Sequence, residues 1–88
     1  MTCKIHREAV GEDRAVLRVS GRLAGGDVNM LRTLLEQESG ALTLDLKDVR
    51  SVDGDAIKLL AIHESNGVRI ENCPLYFREW IRREREAI

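Results

Sequence analysis

Asp53 and Asp55, separated only by Gly54, are the first place in this chain to look for chemistry. A carboxylate pair performs general acid–base catalysis when a pocket drives its two pKa values apart, and nothing flanking these residues encodes such a pocket. Their simpler chemistry is electrostatic. Asp53 stands where a helix N-cap belongs, with a carboxylate able to accept hydrogen bonds from the orphan amides of the next turn. Asp55 adds negative charge to that turn, where the helix dipole favours it. The other reactive side chains are scattered. Cys3 and His6 lie three apart on a strand pattern and so point to opposite faces, and His63 has no ligand-type residue three or four positions away on its helix. With Cys73 they make no metal set, so neither metal nor cofactor is expected. Ser20 and the two histidines lack any nucleophile-elbow or triad context. Gly25-Gly26 precede a helix as a phosphate loop does, but the spacing fits neither standard glycine-rich motif and Asp27 would repel the phosphate. No catalytic residue is assigned, and the chain is expected not to be an enzyme.

The elements that position the Asp53 tip follow from periodicity. Ala41 to Leu46 alternates, with Leu42, Leu44 and Leu46 on one face, and predicts a central buried strand. A short loop carries the chain to Asp53, and Ala56, Ile57, Leu60, Ala61 and Glu64 then recur at helical spacing, broadened by Leu59 and Ile62. Upstream, Cys3 to Val10 predicts a strand with Cys3, Ile5 and Arg7 on one face. Gly11-Glu12-Asp13 makes a hairpin turn, and Arg14 to Ser20 a second strand with Ala15, Leu17 and Val19 inward. Gly21 to Gly26 reads as a flexible crossing segment. Asp27 is expected to cap a helix that runs to about Glu38, with Val28, Leu31, Leu34 and Leu35 inward and Ser39-Gly40 ending it. Asn66-Gly67 ends the Asp53 helix by the same device. Val68 to Asn72 is a short strand, and Pro74 opens a last helix with Phe77, Trp80 and Ile81 on its apolar stripe, Ile88 extending it. On its charged side, Glu79 and Arg83 are spaced to pair, as are Arg82 and Glu86. The order is β-β-α-β-α-β-α, an α/β domain with a mixed, mostly parallel four-stranded sheet, spanning residues 1–88 as one unit.

Composition narrows the function classes. With 88 residues, 43% hydrophobic and 33% charged, the chain is sized for one modest core. A net charge of −1 gives no field to recruit nucleic acid or an anionic membrane, and three aromatics make no platform for stacking bases. No apolar run approaches the roughly 18 residues of a membrane span, and the charged first residues do not form a signal peptide. A cytoplasmic location is the expectation, with Cys3 and Cys73 as free thiols.

Three stretches carry a resemblance. Val16 to Leu23 (VLRVSGRL), Leu42 to Asp53 (LTLDLKDVRSVD) and Gly67 to Cys73 with the helix after it resemble, in order and spacing, the STAS domain of sulphate transporters and bacterial anti-sigma factor antagonists. The resemblance implies a protein-binding module whose partner is an anti-sigma factor or a serine kinase. In the antagonists, the loop before the second helix carries aspartate followed by a serine or threonine that the kinase phosphorylates to break the complex. Asp53 matches that aspartate, and Gly54 falls on the phospho-acceptor, so the usual switch has no hydroxyl here. Asp45 matches an aspartate often found on the family's central strand.

A phosphate at that site brings about −1.5 to −2 charges to a helix N-terminus, whereas Asp55 brings half or less, one residue away. Asp53 and Asp55 therefore fit a locked binder better than an imitation of the phosphorylated form. The implied contact surface is Asp53, Gly54, Asp55 and Lys58, with Asp45 beneath. Small STAS proteins also serve as soluble subunits of lipid-type ABC transport complexes, where the same helix packs on the ATPase without phosphorylation. A homodimer or scaffold is the third option.

Overall fold

β-branched and leucine-rich alternation produces the sheet. In β2 (Arg14–Leu23) Ala15, Leu17 and Val19 are buried, while Arg18 between them is exposed. β1 (Cys3–Gly11) pairs antiparallel with β2, placing Ile5 opposite Val19 and His6 opposite Arg18. β3 (Ala41–Val52) pairs parallel with β2, and β4 (Arg69–Glu71) pairs parallel with β3, giving the order β1-β2-β3-β4. The computed structural model describes residues 3–38 and 40–87. Helices α1 (Gly26–Gln37), α2 (Gly54–Ser65) and α3 (Leu75–Glu86) complete the expected β-β-α-β-α-β-α order. Right-handed crossovers put α1 and α2 on one face of a sheet whose parallel strands advance in one direction. One core joins the three helices to that face, with Leu17, Leu44, Leu31, Ile57, Leu60 and Ile81 fully buried. The other face keeps Lys4, His6, Arg18 and Asp45.

The central strand is twice as long as its alternation predicts. Residues 47–52, read as a loop, are strand. The reason lies in two register shifts against β2. Arg18 to Ser20 spans Asp45 to Asp48, and Gly21 to Arg22 spans Val49 to Ser51, so β3 carries an extra residue each time. Each extra residue is a bulge that resets which side chains face inward. Val49 is buried and Val52 packs against the core, three residues apart as Leu46 and Val49 are, and a period-two reading cannot find them. β2 likewise continues through Leu23, so the first half of the supposed crossing segment is strand.

Helix ends differ from expectation in three places. Gly25 is the N-cap of α1 and offers no side-chain cap; Asp27, expected to cap, lies inside the first turn. α1 ends on Glu38 in extended conformation. Ser39 lies outside the described residues, and Gly40 is required by a close approach instead, because a Cβ there would collide with the Asp13 carbonyl. Pro74 is the N-cap of α3 and not its first helical residue. Gly67 does end α2 with φ +106°, as a left-handed stop requires. Ile88 lies outside the described residues.

α2 is held to α3 by charge as well as by packing. Glu64 accepts two hydrogen bonds from Arg78, both 2.9 Å, and one from Arg85 at 3.1 Å. Burial pushes the Glu64 carboxyl up, but these bonds outweigh it and hold the group below the usual carboxylate range. Further along α3, Arg82 pairs with Glu86 as expected and also takes Glu79, which was expected to pair with Arg83.

Candidate functional site

Asp53 closes β3 and opens α2, and its carboxylate serves two helices. Oδ1 accepts the Ala56 amide at 2.8 Å, the N-cap bond of α2. Oδ2 accepts the Gly25 amide at 3.0 Å, at the N-cap position of α1. Its own amide donates to the Leu23 carbonyl at 3.3 Å. One residue thus fixes the end of β2 through its amide, and the starts of α1 and α2 through its carboxylate, relative to one another. The amides of Gly25 and then Ala56 hold the carboxyl below its ordinary value near 3.8, with Arg22 adding a weaker pull. Asp53 is therefore ionised at neutral pH, with both oxygens engaged, and is no proton donor there.

Gly25 adopts φ +60°, a conformation that side chains rarely take, and this turns its amide toward Asp53. Sequence reasoning assigned Gly25-Gly26 a merely flexible turn and missed this partnership. The usable signal was a glycine pair directly before a helix that lacks a capping side chain.

Around the anchored aspartate, Gly54, Asp55 and Lys58 are all exposed on the first turns of α2. A Cβ added at Gly54 would meet nothing within 4 Å, so neither the backbone nor a neighbour demands glycine there. The result is an open helix tip with a negative charge at Asp55 and a positive one at Lys58, one turn along. Asp45 is not part of it. Alternating with the buried Leu44 and Leu46, it points to the opposite face of the sheet. There it accepts from the Lys47 amide at 3.0 Å and from Asn72 at 3.2 Å, and lies 3.9 Å from Arg18. The strand parity that buries its neighbours carries Asp45 away from α2, which corrects its expected place beneath the tip.

No protein-family model and no curated protein matches the sequence. Among solved structures, the chain is similar to the anti-sigma factor antagonist SpoIIAA in its unphosphorylated form, with a TM-score of 0.68 over 86% of this chain and 79% of that one, at 17% identity. The fold is STAS-like. A second likeness, to the crystal structure of Mglu, has a TM-score of 0.65 at 24% identity and covers 80% of this chain but 19% of that one. The STAS-like domain thus corresponds to about a fifth of Mglu and to most of SpoIIAA. At these identities the likeness concerns the fold. Within it, the Asp53 joint is the β3–α2 connection, and no helix among the described residues is long and apolar enough to cross a membrane.

Proposed function

We propose that this STAS-like domain is a non-enzymatic protein-binding module that docks through Gly54, Asp55 and Lys58 at the tip of α2, with Asp53 as the anchor beneath them. One observation carries the reading: the open space around an exposed Gly54, on a helix start that Asp53 holds rigid from two sides. A rigid, bare tip lets a partner's backbone approach closely at low ordering cost. By analogy with the anti-sigma factor antagonist SpoIIAA, the partner is an anti-sigma factor, or the serine kinase that the STAS resemblance implies. The docking has no phosphate toggle at position 54, because glycine offers no hydroxyl. A second reading, a soluble subunit packing on a transporter ATPase, is favoured by that same missing hydroxyl.

The test is calorimetric titration of the purified chain against a candidate kinase and a candidate ATPase, with Asp55→Arg and Lys58→Glu as variants. Both positions are exposed, so the fold survives and circular dichroism checks it. Loss of about tenfold or more in affinity for one partner supports the reading. Undiminished binding by both variants overturns it. A phosphate-sized mass gain on Ser51 or Ser65 after incubation with kinase and ATP would overturn the unswitched form.

A further inference from the structure

All three aromatic residues of the chain, Tyr76, Phe77 and Trp80, fall within one and a half turns of α3. Phe77 is buried in the core and Trp80 packs partly against it, while Tyr76 is left outside. Phe77 and Ile81 are 7% and 0% exposed and face the sheet, whereas Leu75 and Tyr76 are 78% and 74% exposed. With Trp80, which is half-buried, they form an apolar groove flanked by Glu79 and Arg83. At 100° per residue, Leu75, Glu79 and Arg83 run along the side of the helix turned away from Phe77 and Ile81, with Tyr76 and Trp80 beside them. Tyr76 stands edge-on to Phe77 at 5.8 Å and to Trp80 at 6.4 Å between ring centroids. Rings braced in this way lose little freedom on contact, and exposed aromatic clusters of this kind supply the centre of protein interfaces.

We propose that this face is the contact between two copies of the chain, with the α3 helices packed antiparallel about a two-fold axis near Trp80. The occupant follows from charge. A two-fold interface brings the same patch to itself reversed, so it must be self-complementary. The stripe carries one acid and one base a turn apart, and Arg83 makes no ion pair among the described residues. Reversal about Trp80 stacks the two Trp80 rings and sets Arg83 of one copy against Glu79, Tyr76 and Leu75 of the other, its alkyl stem covering their exposed apolar surface. A strongly basic or acidic partner would leave one of the two charges opposed by its like. The interface uses none of the residues of the α2 tip: β4 ends at Glu71, in register with Asp45 on β3, eight residues before Asp53, and α3 begins four residues later at Leu75.

Sedimentation velocity on the full chain, from micromolar to millimolar, tests the proposal together with Trp80 fluorescence. The expected result is a monomer–dimer equilibrium, with a blue shift of Trp80 emission as the dimer forms. Leu75→Ser with Tyr76→Ala should keep the circular dichroism spectrum and raise the dimer dissociation constant about tenfold or more. Glu79→Arg and Arg83→Glu should each weaken the dimer, and the two together should restore it. That restoration separates a second copy from any other occupant. A chain that stays monomeric throughout, a dimer indifferent to the Leu75/Tyr76 change, or a charge-swapped pair no better than its single variants each overturns the proposal.

Discussion

At the tip of α2, both carboxylate oxygens of Asp53 are engaged by amides of the same chain, whereas Leu75 and Tyr76 on α3 stand largely exposed among the described residues. The first surface is polar and internally complete; the second is apolar and incomplete. A complete polar site is stiff, because moving it breaks hydrogen bonds that hold α1 and α2 in place. An incomplete apolar one has unspent contact area, and its completion must come from outside. Substitution of the Asp53 anchor should therefore register mainly as stability, and substitution on the α3 face mainly as association.

The largest effect is expected at Asp53. Asp53→Ala removes the cap of α2 and strands the Gly25 amide, and should cost about 2–3 kcal/mol in urea denaturation. Asp55→Ala, two residues on and exposed, should change stability by no more than about 0.5 kcal/mol. Equal costs at the two positions would erase the distinction between anchor and surface. Next comes Glu64→Ala, which leaves Arg78 and Arg85 without their shared acid. With Arg78 itself one-third exposed, solvent screening limits the loss to about 1–2 kcal/mol, seen as a lower midpoint at unchanged slope.

Acidification probes the same groups without mutation. Asp53 and Glu64 are both held below their ordinary values, near 3.8 and 4.5, so the folded chain binds fewer protons than the unfolded one in that range. Their contribution is complete above those values and is lost as pH falls through the lower folded ones. Burial also lowers the His63 pKa from its ordinary 6.5, so charging it opposes folding below that pH. Denaturant midpoints should accordingly fall from pH 6.5 downward, most steeply below the carboxylate values. Asp53→Asn, which keeps one acceptor oxygen, should flatten the acid limb. An unchanged limb in that variant would remove Asp53 from the account.

How far the sequence foretold this molecule depends on whether each signal was local. The alternation of Leu42, Leu44 and Leu46 and the helical spacing after Ala56 are local, and the helix and the first half of the strand stand where they were expected. Asp53 as the cap of α2 was legible for the same reason, since the cap bond joins residues three apart. Its second bond, to Gly25, spans 28 residues and has no local trace. The bulges in β3 were hidden because they exist only relative to the register of β2. Asp45 was misplaced for a different reason: the local parity of Leu44 and Leu46 already sets it on the other face, and the family resemblance drew it toward Asp53 instead. On α3, spacing found Phe77 and Ile81 and put Trp80 with them, and it gave no sign that Leu75 and Tyr76 stand exposed beside them.

A small effect of the opposite sign is expected at Gly54, and it is the most informative about use. Gly54 opens α2 without a left-handed backbone, and its missing side chain faces open space. Gly54→Ser should therefore be tolerated and, by restricting the unfolded chain, should add about 0.4–1 kcal/mol. A large destabilisation instead would mean that the tip needs glycine for the fold. The new hydroxyl would stand at the N-terminus of a helix, between two carboxylates, where a phosphate gains from the helix dipole and is opposed by Asp53 and Asp55. If the tip is the docking point, a serine kinase that recognises it should phosphorylate the variant and not the parent, and the modified variant should release its partner. Retained binding after full phosphorylation would place the contact away from α2, leaving Asp53 as a joint between two helices and nothing more.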